Sequence, residues 1–206
     1  MNAQAYLSQE ALRARLIAAP PPLPLAPTRS DYDLNPAVRP EGPRTLTPAA
    51  VLIPVVARGE PTVLFTTRSQ TLPRHAGQVS FPGGCAHAED DSLVATALRE
   101  MQEETGIDPA FVAVAGFLTP YETVTAYAVL PVVGLVREGF TMSVNTREVD
   151  GVFEVPLAFL IDPANLRQQQ REWKGRTRRF YVFQYGAHYI WGATAAILVD
   201  LAERLA

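Results

Sequence analysis

A single cysteine, Cys85, stands in the 206 residues. It excludes an intrachain disulfide and fits a reducing compartment. No apolar run approaches the roughly 18 residues that suggest a membrane span, and the opening stretch MNAQAYLSQEALRARL has no apolar signal-peptide core. A cytoplasmic protein is the expectation. An excess of either charge is also missing. The formal net charge of −3 offers no bulk attraction for a polyanion and leaves a small acidic or phosphorylated ligand to a local patch. No internal repeat is visible. With 48% hydrophobic and 19% charged residues, the chain is expected to be globular, one domain with or without an extension.

Proline, by contrast, is abundant, with 18 residues, and clustered. The stretch from Ala18 to Pro43 cannot sustain a helix and reads as an extended, partly polyproline-II connector. Before it, SQEALRARLIAA predicts a short helix capped at Ser8, with Leu12 and Leu16 on one face. The division expected is an N-terminal arm, residues 1–48, and a compact domain, residues 49–206. Within that domain Ala49 to Val56 and Thr62 to Arg68 read as strands joined by a turn. Gln78 to Gly84 reads as a short strand ended by proline and two glycines. A helix is predicted from Ser92 to Thr105, with Ser92 or Asp91 as cap and Gly106 as stop. FVAVAGFLTP and TAYAVLPVVGLV are two more strands. VFEVPLAFL is a strand running into a short helix opened by Pro156. RFYVFQYGAHYIWG is a hairpin around Gly186, and GATAAILVDLAERL a terminal helix. Strands and helices do not alternate regularly, so the fold class is α+β, a mixed α/β sandwich rather than a doubly wound parallel sheet.

The predicted helix holds LREMQEETG. At about 100° per residue, with Glu100 at 0°, Glu104 lies near 40° and Glu103 near −60°, one shared face. Val94, Leu98 and Met101 form a separate apolar face. A solvated acidic surface is the plain explanation, and Arg99 is placed to pair with Glu103 at i,i+4. Glu100 and Glu104, however, are a like-charged i,i+4 pair that costs a few tenths of a kcal/mol. A divalent cation reverses that sign, since Mg²⁺ takes oxygen ligands and commonly binds carboxylates together with substrate phosphates. Upstream, FPGG brings flexible backbone beside the helix, where glycine carbonyls can add a ligand and glycine N–H groups can approach a phosphate.

These residues resemble the Nudix box, a glycine followed by a helix ending R-E-x-x-E-E-x-G. Arg99, Glu100, Glu103, Glu104 and Gly106 complete that ending. The family expects five residues after the box glycine, then Glu, then seven residues before the arginine. Counting back from Arg99 gives Asp91, one residue too far from Gly84, and reads as a loop longer by one with Asp in place of Glu. LFTTRSQTLPRHAGQVSFPGG is similar to the signature of the family's coenzyme A diphosphatase branch through Arg68, Ser69, Gly77, Phe81, Pro82, Gly83 and Gly84. Pro73 stands where the second arginine of that signature belongs, with Arg74 next to it. The tail IWGATAAIL is similar to the same branch, and the likeness spans about Ala49 to Leu205.

The resemblance implies a Nudix fold, a mixed sheet between helices, and a diphosphatase dependent on Mg²⁺ or Mn²⁺ that splits coenzyme A or its thioesters. It assigns Glu100 and Glu104 as main metal ligands, Glu103 as ligand or water-positioning base, the Gly84 carbonyl as a weaker ligand, and Arg99 as orienter of the glutamates. Arg68, Arg74 and His75, with Gly83 and Gly84, are the expected phosphate contacts. Glu148, Asp150 and Glu122 are candidates for a further metal-site acid and otherwise solvated loop residues. Asp90 and Asp91 read as loop acids or caps, Cys85 as a bystander, and Tyr189 and Trp191 as core residues or contacts of a homodimer. Residues 167–179, RQQQREWKGRTRR, read as a solvated basic loop. A hydrolase for ADP-ribose or another nucleoside diphosphate derivative, and a catalytically silent ligand sensor, are the competing readings.

Overall fold

The computed structural model describes residues 9–173 and 175–206. The cap expected at Ser8 lies outside the described residues. In chain order the elements are α1 (Gln9–Arg15), β1 (Arg29–Ser30), β2 (Thr47–Val56), β3 (Thr62–Arg68), β4 (Val79–Ser80), β5 (Gly83–Cys85), α2 (Leu93–Thr105), β6 (Val112–Phe117), β7 (Tyr121–Glu122), β8 (Tyr127–Val136), β9 (Val149–Pro156), α3 (Leu157–Ile161), β10 (Leu166–Trp173), β11 (Arg176–Tyr185), β12 (His188–Trp191) and α4 (Gly192–Leu205). They build a mixed sheet ordered β1-β7-β8-β2-β3-β4, with β5 on β2, β6 on β8 and β9 on β3, and a small antiparallel sheet β10-β11-β12. The expected α+β sandwich is the fold observed. No helix among the described residues is long and apolar enough to cross a membrane.

The axis of the large sheet is the parallel pair β2 and β8, in register from Thr47↔Tyr127 to Val56↔Val136. Both strands carry a central proline, which ordinarily argues against an inner strand because it lacks a ladder donor. Their positions resolve this. Pro54 falls where the outer neighbour of β2 changes from β5, paired at Ala49 to Val51, to β3, paired at Val55 and Val56. Pro131 falls where the neighbour of β8 changes from β7 to β6. Neither missing N–H is needed at such a junction. Successive side chains then alternate between two apolar layers. Ile53, Val55, Phe65 and Val133 join the layer covered by α1, α3 and α4. Leu52, Val56, Leu64 and Val132 pack with Leu93, Ala97 and Met101 of α2.

The described part of the arm lies on the domain. Leu12 is fully buried and Leu16 nearly so, and β1 pairs in parallel with β7. Glu122, expected as a solvated or metal-binding loop acid, is instead buried and held by Arg44 Nη1 at 2.6 Å and Arg39 Nη2 at 3.0 Å. Both arginines come from the N-terminal arm, so local sequence around Glu122 carries no trace of the pair. Removing one partner of a buried pair is strongly destabilising. Because Arg39 remains, Arg44→Ala is expected to cost about 1–3 kcal/mol, read as a lowered denaturant midpoint with unchanged slope.

Two further expectations are corrected. Residues 167–179 are not a solvated loop but most of a hairpin, in register from Leu166↔Phe183 to Trp173↔Arg176. Their polar residues show no periodicity, but Val182, Phe183 and Ile190 are buried, and β11, anchored by them, supplies a ladder to β10. The segment Gln78 to Gly84 is also not one strand. Val79–Ser80 pairs with β3 and Gly83–Cys85 with β2, and Phe81 and Pro82 cross between them.

Candidate active site

Helix α2 begins where Ser92 Oγ accepts from the Ala95 N–H at 3.2 Å, and it ends at Gly106, whose φ of 73° is left-handed. The cap is Ser92, as one of the two expected alternatives has it. Leu93, Ala97 and Met101 seat the helix against β2 and β8, which turns the edge bearing Glu100 and Glu104 toward β3 and β5. The three glutamates therefore differ in environment. The Glu103 side chain is half exposed, that of Glu100 is 12% exposed, and Glu104 is buried.

Glu104 is the innermost. Its Oε2 lies 3.2 Å from Thr66 Oγ1 on β3, and it accepts from the Gly83 N–H of β5. Burial pushes its pKa up to about 7, against the opposing pull of Arg68 and with added repulsion from Glu100. Arg68, at the end of β3, has a buried Nε with no hydrogen-bond partner among the described residues. An unsatisfied buried guanidinium nitrogen is uncommon and marks a place where an anionic oxygen is accommodated.

Glu100 lies over Gly84. A Cβ on residue 84 would stand 2.5 Å from Glu100 Cδ and 2.7 Å from its Oε2, whereas one on Gly83 would meet the backbone of Val51 at 2.7 Å. The two glycines thus serve different needs: Gly84 makes room for a carboxylate, Gly83 for strand pairing. Burial raises the pKa of Glu100, opposed by Arg99 and reinforced by Glu103 and Glu148.

Arg99 occupies the centre of a clamp. Its Nη1 donates to Glu100 Oε1 at 2.8 Å and to Glu103 Oε2 at 3.0 Å. Its Nε and Nη2 form a fork on Asp90 at 2.9 and 3.0 Å, and Nη2 also reaches the Cys85 carbonyl at 3.2 Å. Asp90 further accepts from the His87 N–H and Thr96 Oγ1, and the fork from Arg99 holds its pKa well below the usual carboxylate range. This corrects the reading of the box's front half. Asp90, separated from Gly84 by five residues, is the acid that engages Arg99; Asp91 is exposed, and the extra residue lies after the acid. Counting forward from the glycine would have found it. Asp90→Ala is expected to lower turnover about 10- to 100-fold, the loss typical of a partner that orients ligands, with kcat falling and the fold retained by circular dichroism.

The loop before β9 closes the other end. Asn145 N–H donates to the Glu104 carbonyl at 3.1 Å, and Asn145 Nδ2 donates to Glu148 Oε1 at 3.1 Å. Of the three later acids, Glu148 acts electrostatically on Glu100. Asp150 accepts from the Gln70 N–H, and Glu122 is held by the arm. Arg74 and His75 lie on the exposed loop between β3 and β4, where His75 Nδ1 meets Gln78 Oε1 at 3.0 Å. They share that loop with Arg68 but touch none of the glutamates. Tyr189 is on the surface, and Trp191 packs edge-on against Phe180.

Among the described residues no three acidic, histidine or cysteine side chains already converge as a metal site; Arg99 draws Glu100 and Glu103 together instead. The donor chemistry nevertheless fits a hard divalent cation. Glu100 and Glu104 present carboxylates on one edge, the buried Glu104 carboxylate forms no salt bridge among the described residues, and the Gly84 backbone lies against Glu100.

The chain is similar to known proteins over much of its length. The profile of the NUDIX domain matches residues 46–176, more than half of the chain. The chain is 43% identical over 157 residues to a protein of Photorhabdus laumondii named uncharacterized Nudix hydrolase NudL, covering 76% of this chain and 84% of that one. It is 45% identical over 157 residues to the protein of the same name from Yersinia enterocolitica, covering 76% and 80%. Among solved structures, a Nudix hydrolase from M. smegmatis, RenU, superimposes with a TM-score of 0.49 at 14% identity, over 76% of this chain and 84% of that one.

Proposed function

The chain belongs to the NUDIX family and is a pyrophosphohydrolase; from that premise we propose that it cleaves the pyrophosphate of coenzyme A or its thioesters with Mg²⁺ or Mn²⁺. The observation that carries the reading is the nearness of a buried Glu104 to Arg68, whose Nε is buried and has no hydrogen-bond partner among the described residues, beside the Glu100–Gly84 cradle. Carboxylates for a cation beside an unpartnered guanidinium nitrogen match what a phosphoanhydride needs: charge neutralised on its oxygens and one anionic oxygen gripped. Glu100 and Glu104, with the Gly84 carbonyl and Glu103 at the rim, would hold the cation. When bound, it supplies charge neutralisation and a lowered pKa for water. Water attacks one phosphorus, the bridging P–O bond breaks, and the proton of the water passes to a carboxylate, for which half-exposed Glu103 and Glu148 are the candidates. Arg99, fixed by Asp90, keeps Glu100 and Glu103 in place. Arg68 grips a phosphate oxygen, with Arg74 and His75 on the adjoining loop available to the rest of the ligand.

Coenzyme A is favoured by the likeness of Arg68, Ser69, Gly77 and Phe81 to Gly84 to the coenzyme A diphosphatase signature. The expected products are 3′-phosphoadenosine 5′-phosphate and 4′-phosphopantetheine, identified by mass. The displacement of the second signature arginine to Arg74 favours, as a second reading, ADP-ribose or another nucleoside diphosphate derivative. A substrate panel in Mn²⁺ separates the two: inert coenzyme A beside rapid cleavage of another member would remove the first. A silent sensor is opposed by the intact set of Glu100, Glu103 and Glu104.

A further inference from the structure

We infer that Thr66 is a positioning residue that sets the Glu104 carboxylate for its cation; the inference rests on the metal-dependent reading above. Thr66 is in the middle of β3, fully buried, with its hydroxyl 3.2 Å from Glu104 Oε2 and 3.2 Å from Ser80 Oγ. A threonine hydroxyl has one proton to donate and lone pairs to accept with. With Glu104 ionised, the acceptor-only carboxylate takes that proton, and the Ser80 hydroxyl donates in turn to Thr66. The chain Ser80–Thr66–Glu104 thereby acquires one direction.

The surroundings explain why a hydroxyl matters here. Glu104 is in the last turn of α2, and its side chain spans the gap between the helix and the sheet. Leu64 and Phe65, beside Thr66 on β3, are fully buried and apolar. Apart from Thr66, the Glu104 carboxylate accepts from the Gly83 N–H, and Arg68 attracts it without forming an ion pair. One backbone donor on one strand leaves the carboxylate plane free to rotate. A second donor from another strand fixes it. Both anchors are rigid, since Gly83 is paired to Val51 and Thr66 to Ser80 and Val152. A ligand held by two donors on paired strands keeps its geometry before the cation arrives, and such partners are typically worth 10- to 100-fold in metal affinity.

Thr66→Val and Thr66→Ser make the test. Valine keeps the β-branched shape favoured in a buried strand and removes only the hydroxyl; serine keeps the hydroxyl. Mn²⁺ alone is titrated into metal-stripped protein, with free Mn²⁺ followed by electron paramagnetic resonance, and turnover is measured separately. Thr66→Val is expected to bind Mn²⁺ about 10- to 100-fold more weakly, and Thr66→Ser to restore affinity to within a few-fold of the parent. Thr66→Ala carries the same comparison if the valine protein is not recovered folded. Parental Mn²⁺ affinity in the folded variant without the hydroxyl would overturn the inference. Glu104→Gln, run in parallel, separates the two levels. Loss of binding in Glu104→Gln with none in Thr66→Val removes only the role of Thr66, whereas unchanged binding and turnover in Glu104→Gln removes the metal reading itself.

Discussion

Glu104→Gln is expected to lower kcat by more than about a hundredfold, beyond the loss typical of an outer partner, while leaving the folded protein at least as stable as the parent. The two effects share one cause. Glu104 is buried, and burial pushes its pKa up to about 7. An ionised carboxylate there is costly until a cation meets it. Glutamine has the same shape, keeps one amide oxygen to accept from these donors, and carries no charge to bury. The sign of the pH effect follows from the raised pKa. A group that binds its proton more tightly in the folded state stabilises the fold below its unfolded pKa and loses that contribution as pH rises through the folded one. In metal-free parent protein, stability is expected to fall between about pH 4.5 and 7, by roughly 3 kcal/mol at about 1.4 kcal/mol per unit. Glu104→Gln should lack that decline. Chemical denaturation of both proteins across this window, in chelator, checks the stability half, and steady-state kinetics in Mn²⁺ the other. A glutamine variant that turns over at the parental rate would contradict the assignment.

Gly84→Ala is expected to damage activity far more than stability, whereas Gly83→Ala is expected to lower stability and, through the Gly83 N–H that anchors Glu104, activity with it. At residue 84 the obstructing atoms are the carboxylate of Glu100, the far end of a flexible side chain. That end swings aside at little cost to the fold, but it leaves the position from which Glu100 would share a cation with Glu104 in the proposed reaction, and turnover should drop about 10- to 100-fold. At residue 83 the obstructing atoms are backbone, the Ala50 carbonyl and Val51 Cα. The β2–β5 pairing must yield, at about 1–3 kcal/mol for an overpacked site. Thermal midpoints together with kcat for both variants decide the matter. A Gly84→Ala protein with full activity would show that Glu100 does not need its observed seat.

Much of this site is legible in a single helix. Glu100, Glu103 and Glu104 share a face because 3.6 residues make a turn, and the Ser92 cap and Gly106 stop are read from local chemistry. The strands β2, β3, β6, β8, β9 and β12 announce themselves through β-branched and aromatic runs. The basic hairpin β10–β11 does not, because its polar side chains give no period and its pairing is dictated by Phe183 and Ile190 downstream. Asp90 was legible and misassigned: counting from Arg99 rather than from Gly84 selects its neighbour.

What the sequence determined by itself is a set of local relations: a capped helix, carboxylates on one edge, glycines beside it, and an arginine one residue before the first glutamate. The tertiary structure alone decided which carboxylate is buried, that Glu122 is held by the arm while Glu148 lies near Glu100, and that Thr66, Gly83 and Arg68 surround Glu104. These relations join residues dozens of positions apart, brought together by the pairing of β2 with β5 and of β3 with β4 and β9. Helical periodicity fixes angles within one element, whereas burial and electrostatic environment depend on what the other strands place against it.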